Sequence, residues 1–151
     1  MRRIEFTQFV PARLDVVWDF FSSPGNLSKI TPPEMGFIIS SPPQPEMYSG
    51  MFIMYKVSPL LGIKLNWVTE ITQVEKLKFF VDEQRLGPYS IWHHEHHFKA
   101  VEGGVEMHDI LHYSVPFGFF GRIADALFVH SKVKEIFAYR EKSISVISSS
   151  L

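Results

Sequence analysis

The chain of 151 residues contains no cysteine. Disulfides, a thiolate nucleophile and cysteine-ligated zinc or iron–sulfur clusters are therefore excluded. It also lacks a charge imbalance: 15 basic residues stand against 16 acidic ones, for a net charge of −1. Affinity for nucleic acid rests on neutralising phosphates, so no nucleic-acid partner is expected. No run approaches the ~18 apolar residues of a membrane-spanning helix. Near the start, Glu5, Gln8 and Arg13 interrupt the apolar core that a signal peptide needs. The expectation is a soluble, cytoplasmic protein without stable membrane insertion. Aromatic residues, by contrast, are abundant: 15% of the chain, with 14 phenylalanines. At 46% hydrophobic and 21% charged residues, the composition is that of a globular protein. A chain of this length can bury about 70% of its unfolded surface, so residues 1–151 are expected to form a single domain.

Hydrophobic periodicity divides the chain into three parts. Residues Arg3 to Phe9 alternate, with Ile4, Phe6, Gln8 and Val10 on one face, the pattern of a half-buried strand. Pro11 suits a first helical position, and Leu14, Val17, Trp18 and Phe21 then recur at helical spacing. A short turn or helix through Leu27 and Ile30 follows, and then a segment from Thr31 to Pro45 with five prolines around one short strand near Met35 to Ser40. From Ser49 to Val115 the period is close to two, giving candidate strands Gly50–Val57, Lys64–Gln73, Leu77–Arg85, Tyr89–Val101 and Val105–Val115. Their breaks, Ser58-Pro59-Leu60-Leu61-Gly62, Gly87-Pro88 and Glu102-Gly103-Gly104, carry turn chemistry and favour an antiparallel meander. After Pro116 the step becomes three and four through Ile123, Leu127, His130, Val133, Phe137, Arg140 and Ile144, predicting one helix of about 25 residues. Ser148-Ser149-Ser150 should fray. The fold class is α+β, with helices on one face of the sheet.

That order resembles the helix-grip fold of the SRPBCC superfamily, which includes START domains and the birch-pollen allergen. Pro11-Ala12, Val17-Trp18, Phe20-Phe21, Asn26-Leu27 and Ile30-Thr31-Pro32 are similar to the first helix and the short helix after it. The run from Phe80-Val81-Asp82-Glu83-Gln84 through Gly87-Pro88-Tyr89 to Trp92-His93-His94-Glu95-His96-His97-Phe98 resembles a bacterial, polyketide cyclase/dehydrase-like branch. Asp109, Tyr113-Ser114-Val115-Pro116, Gly118 and Gly121 extend the likeness into the last helix. The resemblance implies a curved sheet of about seven strands wrapped around the C-terminal helix, two short helices after the first strand, and an apolar cavity between sheet and helix. The superfamily hosts lipid carriers, hormone receptors, cyclases, ring-hydroxylase subunits and chaperone cofactors, so fold alone does not assign chemistry.

Four histidines fall within residues 93–97, and period two divides them. His94 and His96 share a face with Trp92 and Phe98, while His93 and His97 share the other with Glu95 and Lys99. On the next strand Val105, Met107, Asp109, Leu111, Tyr113 and Val115 form the apolar face, with Asp109 its one carboxylate. A two-residue loop at Glu102-Gly103 pairs positions that sum to 205, setting His96 opposite Asp109 and His94 opposite Leu111. A His96–Asp109 pair in an apolar cavity is the expectation. It stiffens the sheet, orients a ligand, or acts in general acid–base catalysis. His-x-His with Asp109 also matches zinc geometry, but outward His93 and His97 satisfy the same spacing, so no functional metal and no cofactor are expected.

The remaining candidates are weaker. For Leu77–Arg85, Asp82 and Gln84 share a face with Phe80, and Glu83 and Arg85 share the other with Phe79 and Val81, but the pattern does not say which face is inward. Glu83 beside Glu70 is read as exposed charge, and Tyr89 and Trp92 as aromatic residues at a sheet edge. Ile123, Leu127, His130, Val133 and Phe137 form the helix stripe expected to face the sheet. Phe117, Phe119 and Phe120 are either a packed corner or a gate, with Met47, Tyr48, Met51, Phe52 and Met54 as the opposite lip. The leading functional expectation is a small hydrophobic or aromatic ligand in a cavity of a few hundred Å³. Its expected lining is Phe6, Trp67, Trp92, His94, His96, Phe98, Asp109, Tyr113, His130 and Phe137. The alternatives are a cyclase, dehydratase or isomerase using His96 and Asp109, and a ligand-free interaction module. A homodimer is left open.

Overall fold

A computed structural model describes residues 1–44, 46–58 and 63–148. Pro59 to Gly62, expected as turn residues, Pro45, and Ser149 and Ser150, expected to fray, lie outside that set. Seven antiparallel strands form one sheet in the order β1-β7-β6-β5-β4-β3-β2. They are β1 (Arg2–Val10), β2 (Ile38–Ile39), β3 (Met51–Val57), β4 (Leu65–Glu75), β5 (Phe79–Leu86), β6 (Ile91–Val101) and β7 (Gly104–Ser114). From β3 to β7 each strand pairs with the next in sequence, because the connections are too short for anything but hairpins. The first strand closes onto the last, with Phe6 opposite Asp109 and Val10 opposite Val105. The strand in the proline-rich segment is only two residues long.

The β6–β7 register follows the expected sum, with His96 opposite Asp109, His94 opposite Leu111 and Phe98 opposite Met107. A two-residue loop sets it: Gly103 takes φ +78°, the left-handed position that glycine adopts without steric cost. Alternate burial along β7 places Val105, Met107, Asp109, Leu111 and Tyr113 inward.

Helix α1 (Leu14–Phe21) buries Val17, Trp18 and Phe20, with Leu14 and Phe21 partly buried beside them. Pro11 does not start this helix; Arg13 is its N-cap, and Pro11 stands two residues earlier. Trp18 packs edge-on against Phe80 and Phe98, with ring centroids 6.1 and 5.5 Å away. Two 3-10 segments, Pro24–Ile30 and Pro33–Met35, lead from α1 toward β2.

The C-terminal helical run comprises α2 (Gly118–Ala124), a π turn (Asp125–Val129) and α3 (His130–Ser148). Gly121 sits where α2 passes the preceding loop: a Cβ there would lie 1.8 Å from the Pro116 carbonyl oxygen. The π turn inserts one extra residue per turn, so the helical phase slips. The buried positions are Gly121, Asp125, Val133, Phe137, Ile144 and Ser148. Ile123 and Leu127, expected on the inner stripe, are instead 42% and 63% exposed. Phe137 stacks flat on Phe6, with centroids 4.0 Å apart, tying α3 to β1. Among the described residues, no helix is long and apolar enough to cross a membrane.

Candidate functional site

A cavity of about 160 Å³ lies between the sheet and α3. That is smaller than the few hundred Å³ expected, and close to the ~150 Å³ that holds one benzene. Its apolar walls come from Phe20 and Phe21 of α1, from Ile53, Tyr55 and Val57 of β3, from Trp67 and Ile71 of β4, and from Phe80 of β5. Lys132, Ile136 and Arg140 of α3 line the opposite side. Ser23, Pro24 and Asn26 also line it; Ser23 is exposed, and Pro24, Asn26, Lys132, Ile136 and Arg140 are half-buried.

Four polar side chains close one end. On β6, His94 and His96 are 2% and 5% exposed, and Asp109 on β7 is 6% exposed. Asp82 on β5, opposite His94 in the sheet, keeps 18% of its side-chain surface and lines the cavity. Each imidazole reaches both carboxylates. His96 Nε2 is 2.8 Å from Asp82 Oδ2, and His94 Nε2 is 3.0 Å from Asp109 Oδ1, both as hydrogen bonds. His94 Nδ1 stands 3.5 Å from Asp82 Oδ2. His96 Nδ1 lies 2.8 Å from Asp109 Oδ1 but is out of line for a hydrogen bond. The expected His96–Asp109 proximity is therefore present, while the hydrogen bonds run from His96 to Asp82 and from His94 to Asp109. Trp92 Nε1 donates to the other Asp82 oxygen at 3.3 Å.

The rings fix this arrangement. His94 and His96 face each other with centroids 3.8 Å apart. Phe80 stacks on His96 at 4.3 Å, and Phe137 meets His94 edge-on at 5.4 Å. Burial by itself would raise the Asp109 carboxyl, but the hydrogen bond from His94 and the contact and charge of His96 hold it far below the carboxylate range. Asp82 is lowered for the same reason: the His96 hydrogen bond, the two imidazoles and Arg140 outweigh its burial. The two histidines part company. Burial and the like charge of His96 depress His94, whereas Asp109 and Asp82 overcome burial and raise His96. The cluster therefore favours two carboxylates, a protonated His96 and a neutral His94. Asp82, His94 and His96 also bring three potential ligand atoms within 4.8 Å of one another, the donor set a divalent transition metal accepts.

Of the sequence-derived lining residues, Trp67, Trp92, His94 and His96 border the cavity, and the other six do not. Phe98 is enclosed by Trp18, Phe21 and Phe80. Phe6 and Phe137 are spent on each other, and Asp109 lies behind the two histidines. Tyr113 donates to Asp125 Oδ1 at 2.9 Å, and His130 Nδ1 is 3.2 Å from the same hydroxyl, in a separate polar cluster that Arg2 completes through Asp125. Phe98, Asp109, Tyr113 and Phe137 are buried while Phe6 and His130 are half-buried; periodicity does not say which inward residues border empty space. Asp82, which lines the cavity, is the residue whose face the sequence left unassigned. Tyr89 and Trp92 line the cavity and pack on Trp67, rather than occupying an edge strand. Phe117, Phe119 and Phe120 are 83%, 62% and 76% exposed and stand away from the cavity. Met47 lines it, Met51 is buried behind it, and Tyr48, Phe52 and Met54 point outward. On the outer face, Glu70 and Glu83 are paired across β4 and β5 and share Arg85, at 2.5 and 3.0 Å.

Seven antiparallel strands gripping one long C-terminal helix, with a cavity between them, decide the fold. The chain has a helix-grip fold. No family model and no curated protein matches its sequence. Solved structures do match, over nearly the whole chain. The Zhui aromatase/cyclase from Streptomyces sp. R1128 superposes with a TM-score of 0.75 at 12% identity, covering 98% of this chain and 93% of that one. Protein CV1439 from Chromobacterium violaceum gives 0.74 at 13% identity, covering 98% of both chains. Ara h 8.0201 gives 0.59 at 12% identity, over 95% of this chain and 97% of that one.

Proposed function

We propose that this helix-grip protein binds a small hydrophobic or aromatic molecule in the cavity between its sheet and α3. One observation carries the reading: an apolar cavity of about 160 Å³ persists in a chain of 14 phenylalanines, with its end closed by polar groups that face one another. Six of those phenylalanines, at 9, 52, 117, 119, 120 and 128, are more than half exposed. The rings therefore line the space without filling it, which argues against a ligand-free interaction module. Burying apolar ligand surface there yields roughly 25 cal/mol per Å², and the Asp82 carboxylate is available to accept a hydrogen bond that sets orientation. A neighbour named as an aromatase/cyclase keeps an enzymatic role in view. However, all four ring nitrogens of His94 and His96 face a carboxylate, and the low Asp82 carboxyl is a weak general base. Binding is the better-supported reading.

Trp67 and Trp92 both border the cavity, so intrinsic fluorescence reports occupancy. Titration with a ring-sized apolar ligand is expected to shift emission saturably. Ile53→Phe, which fills the space at a stability cost of about 1–3 kcal/mol, is expected to abolish the saturable change. An identical titration in that variant contradicts the proposal.

A further inference from the structure

Among the described residues, two of the cavity-lining side chains carry a buried nitrogen without a hydrogen-bond partner: His96, whose Nδ1 still lies 2.8 Å from the Asp109 carboxylate, and Arg140, which has no carboxylate beside it. Tyr55 and Trp67 are both satisfied by Thr69, at 2.8 and 3.1 Å. Asp82, His94 and His96 answer one another. On α3, Lys132 is held by Glu135 at 3.0 Å and Glu34 at 3.9 Å. Arg140, two turns further along the same helix stripe and on the same cavity wall, makes no hydrogen bond or ion pair with any described residue, and its Nε is buried without a partner. Its guanidinium stands 5.1 Å from the centre of the Phe137 ring. That ring is itself immobilised by Phe6, so the stack orders the guanidinium in advance.

A buried guanidinium donor without an acceptor is costly, and a planar fork of N–H donors pairs bidentately with a carboxylate. Asp82 lines the facing sheet wall and comes under the Arg140 field without forming an ion pair with it. Space for one ring-sized group therefore lies between a fixed anion on the sheet and an unanswered cation on the helix. We infer that the molecule bound in this cavity is a small organic acid, with its apolar body against Ile53, Ile71 and Phe80 and its carboxylate on Arg140. This rests on the binding function proposed above and names its ligand class. Repulsion from Asp82 fixes the orientation: the acid group stays at the helix side, and a hydroxyl or N–H at the far end donates to Asp82.

The test compares cinnamate with cinnamamide by calorimetry, in the wild-type protein and in Arg140→Gln. The two probes share a ring and differ in charge. Cinnamate is expected to bind roughly tenfold more tightly, as a charge-assisted pair requires, and Arg140→Gln is expected to equalise the two. Arg140→Lys, which keeps the charge but loses the fork, is expected to retain only part of the preference. Equal affinities in the wild type, or a preference that survives Arg140→Gln, overturn the acid assignment and leave the cavity's binding role standing. If Arg140→Gln does not fold, the wild-type comparison with Arg140→Lys decides the same point. If neither probe binds at millimolar concentration, the acid assignment and the ring-sized binding site both fall.

Discussion

Asp109→Ala is expected to destabilise the protein by about 3–5 kcal/mol, the cost of removing one member of a buried charge pair. The carboxylate is 6% exposed, accepts the His94 hydrogen bond, and stands 2.8 Å from His96 Nδ1. Without it, one imidazole loses its acceptor and the protonated partner loses a counter-charge, in a pocket closed by Phe6, Phe80 and Phe137. Urea unfolding at constant m-value measures the loss. A cost below about 1 kcal/mol contradicts the coupling described here, because only an exposed or independent pair is that cheap. Asp109→Asn, of nearly equal size, separates charge from packing and is expected to cost less than alanine. Replacing His94, His96 and Asp109 together by apolar residues is expected to recover much of the loss, since well-packed hydrophobic substitutes for buried ion groups are often neutral or stabilising. Recovery of that kind assigns the cluster to orientation of a ligand rather than to stability.

The two histidines are expected to give opposite pH dependences. His96 is raised in the folded state, so its contribution is fully present below the unfolded value of about 6.5 and is lost as pH rises through the folded value. His94 is depressed, so its contribution is present above about 6.5 and is lost as pH falls through its folded value. Asp82 and Asp109 are depressed as well, and their contribution is lost below the unfolded carboxylate value of about 4. The stability lost in His96→Gln should thus be greatest at mildly acidic pH and shrink toward alkaline pH. For His94→Gln the loss should grow as pH rises toward about 6.5. Each slope is limited to about 1.4 kcal/mol per pH unit. Unfolding free energies of the two variants and the wild type across this range provide the check. Parallel slopes contradict the assignment of the proton to His96.

These features differed in how plainly the sequence showed them. The β6–β7 pairing was readable because the turn at Glu102-Gly103 allows few registers and both strands alternate cleanly, so Asp109 and His96 could be placed opposite each other from spacing alone. The inner face of β5 was not readable. Phe79 and Val81 on one side balance Phe80 on the other, and both Phe80 and Val81 are buried, at 5% and 3% exposure. Register shifts in β4, between Val68 and Thr69 and between Ile71 and Gln73, further uncouple β5 from its neighbour's phase. Asp82 was hidden by that symmetry. The helix stripe failed before Val133 for a different reason: a π turn carries no composition signal, yet it rotates Ile123 and Leu127 toward solvent. Arg140 was visible only as one more residue at helical spacing, because an unanswered charge can be recognised only once every neighbour has been placed.

Binding in the cavity is the central claim, and native mass spectrometry of the protein taken directly from cells tests it most directly. The expected result is a protein population carrying one ring-sized apolar organic acid, released on denaturation and absent from Ile53→Phe. A bare mass for wild-type protein, together with no saturable response to any ring-sized acid or neutral analogue, contradicts it.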